Sequence, residues 1–198
     1  MSTTTMPATA STARAGTTAS VVRGAVGGMI AAAVMAMFAM VASVTYQHHG
    51  FFTPLFHISA LFGSPDAMMR SVEQAMAGHR FWFDAGPAAL GLVIHMVTGA
   101  MFGIGFVLLA RRLRVPANVL TGAGYGLVVF VVSSFVGLPI AAKVTGTGST
   151  ISDMASMVGW VTFAVEHMMF GAVLGAFAQL AGSRGGMSGA VGSAKLSR

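Results

Sequence analysis

The chain has 198 residues, of which 55% are hydrophobic and only 8% are charged. Soluble domains are about 25% charged, so this composition excludes an ordinary water-soluble globule and a disordered protein. The sequence contains no cysteine, which excludes disulfides, thiolate zinc sites, iron–sulfur clusters and cysteine nucleophiles. The composition therefore predicts a membrane protein.

Four long apolar stretches predict an all-α bundle of four transmembrane helices, over residues 24–45, 87–110, 117–142 and 154–181. Each stretch exceeds the roughly 20 residues that cross a hydrocarbon core. The membrane domain is predicted over residues 23–181, between flexible tails at 1–22 and 182–198 that are rich in small and polar residues. A cleaved signal peptide is an alternative for the first stretch, but its apolar run of about 22 residues exceeds a typical h-region.

The distribution of basic residues predicts the orientation. Of the 11 Lys and Arg residues, eight lie in the N-terminal segment, the second connection and the C-terminal segment, and three lie in the first and third connections. By the positive-inside rule, both termini are expected in the cytoplasm. The net charge of +6 then lies beside anionic headgroups, so the lipid bilayer is the predicted partner and nucleic-acid binding is not needed to explain it.

The outer connection, residues 47–86, is expected to form two short helices along the membrane interface. Thr53–Pro54 and Ser64–Pro65 are each typical of an N-cap followed by proline at the first helical position. Apolar side chains such as Phe56 and Met69 would then lie along the interface.

The same connection contains the only candidates for a metal site. Its histidines occur with acidic residues, and imidazole with carboxylate suits divalent metals, although no zinc motif is present. The candidate ligands are His48, His49, His57 and His79.

An internal repeat runs through the four stretches. The pattern H-M-x-x-G-A-x-x-G begins at His95 and again at His167, and G-A-x-x-G occurs once in each of the other two stretches. Small residues four apart let helices approach closely in lipid. The sequence therefore predicts two repeated helical hairpins that pack through Gly24, Gly28, Gly99, Gly103, Gly122, Gly126, Gly171 and Gly175.

Three ionisable residues inside the predicted helices form the candidate polar site: His95, Glu166 and His167. Ionisable groups in a membrane span are costly and by default suggest a function. They are consistent with proton-linked or pH-responsive transport or stress response, or with haem b held by the two histidines. A structural alternative is that Glu166 accepts a hydrogen bond from a histidine.

The sequence also bears on two further functional classes, an accessory subunit and an enzyme. An accessory subunit would use its glycine faces to bind partner membrane helices, and association with a second copy is also open. An enzyme is not expected, because the sequence has no P-loop, nucleophile elbow or dinucleotide fingerprint.

The order of these features resembles a known family. A histidine followed by a short basic turn ending at Arg114, the segment Phe135-Val-Gly-Leu-Pro139 and the pair Glu166-His167 are similar to the four-span bacterial inner-membrane proteins that include the acid-resistance-associated family. The resemblance implies a multi-pass protein of the bacterial plasma membrane with a link to acid stress.

Overall fold

The computed structural model describes residues 8–194, with side chains described over residues 17–181. All regular secondary structure in that part of the chain is helical. In chain order the elements are α1 (Ala8–Thr45), α2 (Thr53–Ser59), α3 (Asp66–Met76), α4 (Ala85–Leu113), α5 (Val119–Val132), a π-helical turn (Ser133–Gly137), α6 (Leu138–Thr145), α7 (Ser149–Ser152), α8 (Met154–Val158) and α9 (Trp160–Ala194).

Four helical stretches are long and apolar enough to cross a membrane: Thr17–Thr45, Ala85–Leu113, Val119–Thr145 and Trp160–Ala181. The shortest has 22 residues, which at 1.5 Å per residue gives about 33 Å, enough for a typical hydrocarbon core. Large apolar side chains point outward from these helices, and Met101 is 68% exposed. This surface is unsuited to water. The prediction of an all-α chain with four helices long and apolar enough to span a membrane is therefore confirmed, and these helices are compatible with a membrane protein.

Helical backbone continues into both segments that the sequence predicts as flexible tails. α1 begins at Ala8 and α9 ends at Ala194, whereas the tails were placed at 1–22 and 182–198. Extending an existing helix needs no new nucleus, so a spanning helix propagates into adjoining residues. Residues 1–7 and 195–198 lie outside the described residues.

The last two spanning helices differ from their predicted limits for local reasons. Asn118 caps α5 through the backbone N–H of Thr121, which moves the start of the third span to Val119. Gly159 has a φ of +94° and separates α8 from α9, so the fourth span begins at Trp160 and not at 154. The boundaries were therefore displaced by caps and breaks that hydropathy does not report.

A π-helical turn precedes Pro139 in the third span. Proline has no backbone N–H and clashes with the preceding turn of an α-helix. The wider turn Ser133–Gly137 directly precedes the proline-containing helix α6. An extra residue per turn absorbs the proline without ending the third span.

Two short helices form in the outer connection, as predicted, but α2 is buried. Phe56 is 0% exposed and packs against Trp82 at 5.5 Å between ring centroids, whereas the sequence places it along the interface. Thr53 and Ser64 are not the caps: the N-cap residues are Phe52 and Pro65, and neither makes a side-chain capping bond. Apolar side chains on both faces of α2 draw it inward, against α4.

The long helices pack in the order α4, α1, α9, α5. α1 contacts both α4 and α9, α9 also packs along α5, and the Tyr125 hydroxyl of α5 donates to the Phe102 carbonyl of α4 at 2.8 Å. α1 and α9 are therefore the central helices, with more of their surface buried than α4 or α5.

Glycines allow the tightest of these contacts. A Cβ at Gly28 would overlap the carbonyl oxygen of Gly99, and one at Gly122 would overlap that of Gly171. The eight glycines predicted to pack all contact a neighbouring helix or its capping residue within this chain. These eight glycines are occupied by contacts within the bundle itself, so these eight do not form a face for a partner helix.

Two glycines of α5 give a test of this packing. Gly122→Ala should destabilise the protein by about 1–3 kcal/mol, because the new methyl group meets backbone of α9 that cannot yield like a side chain. Gly124→Ala is the matched control, since a Cβ there meets nothing within 4 Å. The measurement is the melting temperature in mild detergent. Equal melting temperatures for the two variants would contradict the assigned contact.

Candidate functional site

A cavity of about 210 Å³ lies among the spanning helices, at the end where α2, α7 and α8 connect them. Most of its lining side chains are apolar. All three predicted intramembrane groups, His95, Glu166 and His167, line it. The structure therefore brings together in one place the ionisable residues that the sequence singles out from two different helices.

His95 is fixed by the close approach of α4 to α1. Its Nε2 lies 3.0 Å from the carbonyl oxygen of Ala32 on α1. One turn further along α4, Gly99 packs directly against the Ala32 side chain, so a larger residue at Gly99 would push this carbonyl out of reach. The position of the imidazole thus depends on the glycine contact beside it.

His167 is fixed by its own helix and by aromatic neighbours. Its Nδ1 lies 2.7 Å from the carbonyl oxygen of Phe163, one turn earlier in α9. The ring also packs against those of Phe163 and Phe130, at 4.4 and 6.1 Å between centroids. These contacts leave His167 only 7% exposed and hold the ring in one orientation.

The two hydrogen bonds define the tautomer of each neutral imidazole. A carbonyl oxygen accepts and never donates, so the proton lies on Nε2 of His95 and on Nδ1 of His167. The other nitrogen of each ring then carries a lone pair. Each histidine is therefore oriented as a base or ligand, in the way that second-shell bonds orient functional imidazoles.

Glu166 has no such fixed partner. The residue is 4% exposed, and its Oε1 is buried without a hydrogen-bond donor among the described residues. The structural alternative, a hydrogen bond from a histidine to Glu166, is absent from the described part of the chain because both imidazoles donate to backbone carbonyls. The carboxyl group therefore needs a proton, a cation or a donor that the described chain does not supply.

His57 is a cavity residue that sequence reasoning considered only as a metal ligand. It lies on α2, is 6% exposed, and its Nε2–H donates to the Thr150 carbonyl of α7 at 2.6 Å. Nearby, Gln47 Nε2 donates to the Val158 carbonyl at 2.8 Å. Both bonds join the first connection to the third at this end of the cavity, which Gln47 and His57 line. Sequence reasoning missed this role of His57 because the sequence does not indicate that α2 is buried.

The environment of His57 disfavours its charged form. Burial lowers the pKa of His57 from its usual value of 6.5, and the neighbouring His49 lowers it further. The hydrogen bond to the Thr150 carbonyl opposes this shift but is the smaller effect compared with burial. The imidazole therefore bonds α7 in its neutral form near neutral pH.

The four metal-ligand candidates do not form a site. His57 is buried against Thr150, whereas His48 and His79 are exposed at the surface. Within the described residues, no three histidine or acidic side chains come together in an arrangement that could hold a metal ion. The insertion of α2 commits the Nε2 of His57 to the Thr150 carbonyl of α7.

The residues present do not fit haem b. Axial ligation by both histidines requires the lone pairs of His95 and His167 to meet one macrocycle, but the Nε2 of His95 donates to Ala32, which leaves only the more crowded Nδ1 of that ring as a ligand. The cavity of about 210 Å³ is also smaller than the roughly 300–1,000 Å³ of pockets for drug-sized ligands. The geometry thus favours a smaller occupant.

Comparison of the chain with protein families, curated proteins and solved structures finds no match. The resemblance to acid-resistance-associated proteins therefore stays an expectation, and the argument for function rests on the site.

The bond from His57 to Thr150 predicts a pH-dependent stability. Because burial holds the folded-state pKa below 6.5, the neutral imidazole favours the fold above pH 6.5, and this contribution is lost as the pH falls through the folded-state pKa. Melting temperatures between pH 7.5 and 5 should fall less for His57→Gln than for the wild type, since an amide can donate to Thr150 without titrating. His79→Gln is the exposed control, and a wild-type slope in both variants would contradict the prediction.

Proposed function

We propose that this protein performs a proton-linked function in the membrane, with Glu166 as the group that binds and releases the proton. The observation that carries the proposal is the buried carboxyl oxygen without a hydrogen-bond donor, in a cavity that also contains His95 and His167. Binding of a proton neutralises this carboxyl group, and no cofactor is needed for that change.

The energetic cost of this arrangement supports a functional role. An unpaired polar atom that is buried costs about 1–3 kcal/mol, and an unpaired charge costs more. A glutamine or leucine at position 166 would avoid the charge. Retaining a carboxyl group in such surroundings is consistent with a site that is satisfied only when a proton or ligand is present.

The two imidazoles supply a path for the proton. Each has one N–H held by a backbone carbonyl and one lone pair, so each can accept a proton and become imidazolium without turning its ring. His95 and His167 come from different helices and line the same cavity as Glu166. They act as relay groups between the carboxyl group and water.

The proposal includes an orientation. With both termini in the cytoplasm of a bacterial plasma membrane, as the excess of basic residues favours, α2 and α7 lie on the extracytoplasmic side. The cavity lies toward that side, where His57 and Gln47 line it and bond the third connection. Protons would enter from outside the cell, which agrees with the link to acid stress that the family resemblance implies.

The proposal also treats the fold as two repeated hairpins. Support comes from the two copies of H-M-x-x-G-A-x-x-G and from the contacts of α1 with α4 and of α5 with α9, each made through paired glycines. Repeats of the same topology give two similar halves around the cavity. The carboxyl group lies in the second half alone, where Glu166 corresponds to Ile94 in the first.

Infrared titration tests the proton site directly. A carboxylic acid C=O band of the protein in nanodiscs should appear and disappear with pH, and Glu166→Gln should remove it. Glu73→Gln is the matched control, because Glu73 is exposed on α3. Loss of the band only in Glu166→Gln supports the proposal. A band unchanged in Glu166→Gln, or no titrating band, would overturn it.

Proton movement is measured in vesicles that contain a pH-sensitive dye. After an external acid pulse, wild-type vesicles should acidify faster than empty ones, and Glu166→Gln should reduce the difference by about tenfold or more, as expected for removal of a proton-transfer group. Glu73→Gln should behave as the wild type. Equal rates in all three proteins would contradict transport.

A further inference from the structure

The cavity lining contains an acidic group but no permanently cationic side chain among its described residues. Its ionisable groups are one carboxyl group and three imidazoles, from Glu166, His57, His95 and His167. No lysine or arginine is among the described lining residues. While the imidazoles are neutral, an anion would meet the Glu166 carboxylate without a compensating cation, so the cavity disfavours anionic ligands.

The hydrogen-bond donors of the lining are largely occupied. The imidazole N–H groups of His57, His95 and His167 bond backbone carbonyls, and the Thr98 hydroxyl donates to the carbonyl of its own helix at Ile94. What remains toward a ligand is mostly acceptor: the Glu166 carboxyl group and the imidazole lone pairs. A ligand is therefore expected to bring donors.

The rest of the lining favours a hydrocarbon body. Aliphatic side chains from α1, α2 and α6 line the cavity, and so do the rings of Phe102, Phe163 and Phe170. Aromatic rings also attract cations through their quadrupole. An inorganic cation is not favoured, since no three ligating side chains converge among the described residues.

We propose that this cavity binds a small protonated amine with an apolar body, whose ammonium group pairs with Glu166 and whose hydrocarbon part contacts the phenylalanines. The inference rests on the proposed function, because proton and ammonium compete for the same carboxyl group. An engineered cavity of about 150 Å³ holds benzene. A cavity of about 210 Å³ thus suits a phenyl ring with a short aminoalkyl chain.

Binding is an exchange in which charge balances. When the ammonium binds to the protonated site, Glu166 releases its proton and the carboxylate pairs with the cation. The titratable groups that face the cavity with Glu166 are His57 from α2, His95 from α4 and His167 from α9 itself. His95 or His167 carries the released proton toward water, as in the proposed relay, so one proton leaves for each amine bound.

Calorimetry with three probes of similar shape tests the ligand class. Wild-type protein in nanodiscs is titrated with phenethylammonium, 2-phenylethanol and 3-phenylpropanoate, with empty nanodiscs as the blank. We expect saturable binding of the ammonium, at least about tenfold tighter than the alcohol, and no binding of the carboxylate. This comparison needs no variant. An alcohol or carboxylate that binds as tightly as the ammonium would overturn the proposal.

Variants and buffers test the role of Glu166. Glu166→Gln should weaken phenethylammonium by about tenfold or more, and Glu73→Gln should leave it unchanged. Titration in two buffers of different ionisation enthalpy should report about one proton released per ammonium bound, as the exchange requires. Unchanged affinity in Glu166→Gln, or no proton release under conditions where the infrared band shows Glu166 protonated, would overturn the exchange.

The two proposals fail in different ways. A titrating infrared band that depends on Glu166, without ammonium binding, would leave the proton site standing and overturn the ligand class. Absence of the titrating band would overturn the proton function, whatever the calorimetry reports.

Discussion

The contact of helix backbones at glycine is the constraint on which the rest of this structure depends. In lipid there is no hydrophobic force between helices, so close packing and hydrogen bonds must hold them together. α1 meets α4 where Gly28 lies against Gly99, and α5 meets α9 where Gly126 lies against the backbone of His167. The same contacts position the site, because the carbonyl that accepts from His95 belongs to Ala32, packed on Gly99. The glycine contacts that hold the helices together therefore also position the side chains of the candidate site.

The two copies of the histidine motif lead to different local chemistry. His95 donates to the neighbouring helix, whereas His167 donates to its own. The difference follows from the residue four positions beyond the second glycine of the facing helix: Ala32 in one case and Phe130 in the other. A small residue leaves the Ala32 carbonyl accessible, while the ring of Phe130 lies against His167 instead. Similar sequences thus lead to two different environments. His95 bonds a neighbouring helix, whereas His167 is enclosed by aromatic rings next to Glu166 in the chain.

The parts of this structure that sequence predicts well are those with local causes. Runs of about 20 apolar residues must be helical in lipid, because each backbone group has to be bonded internally, so four spanning helices follow directly. The burial of His57 does not follow, because a seven-residue helix has the same composition on a surface and inside a bundle. The missing donor for Glu166 also depends on the rotation of four helices, which residue spacing alone does not determine. Hydropathy likewise carries no signal for the break at Gly159.

Each of the three histidines of the cavity donates an N–H to a backbone carbonyl. These bonds orient the rings and also determine which hydrogen-bonding groups remain in the cavity. Each such bond removes a donor from the cavity and leaves a lone pair. With no lysine or arginine in the described lining, no permanent cation there balances a negative charge on Glu166 while the three imidazoles are neutral. If both the proton and the ligand leave this cavity, Glu166 becomes an unpaired buried carboxylate, which is costly in free energy. Loss of one is therefore tied to gain of the other, which is the physical basis for the proposed link between proton release and ligand binding in this bundle.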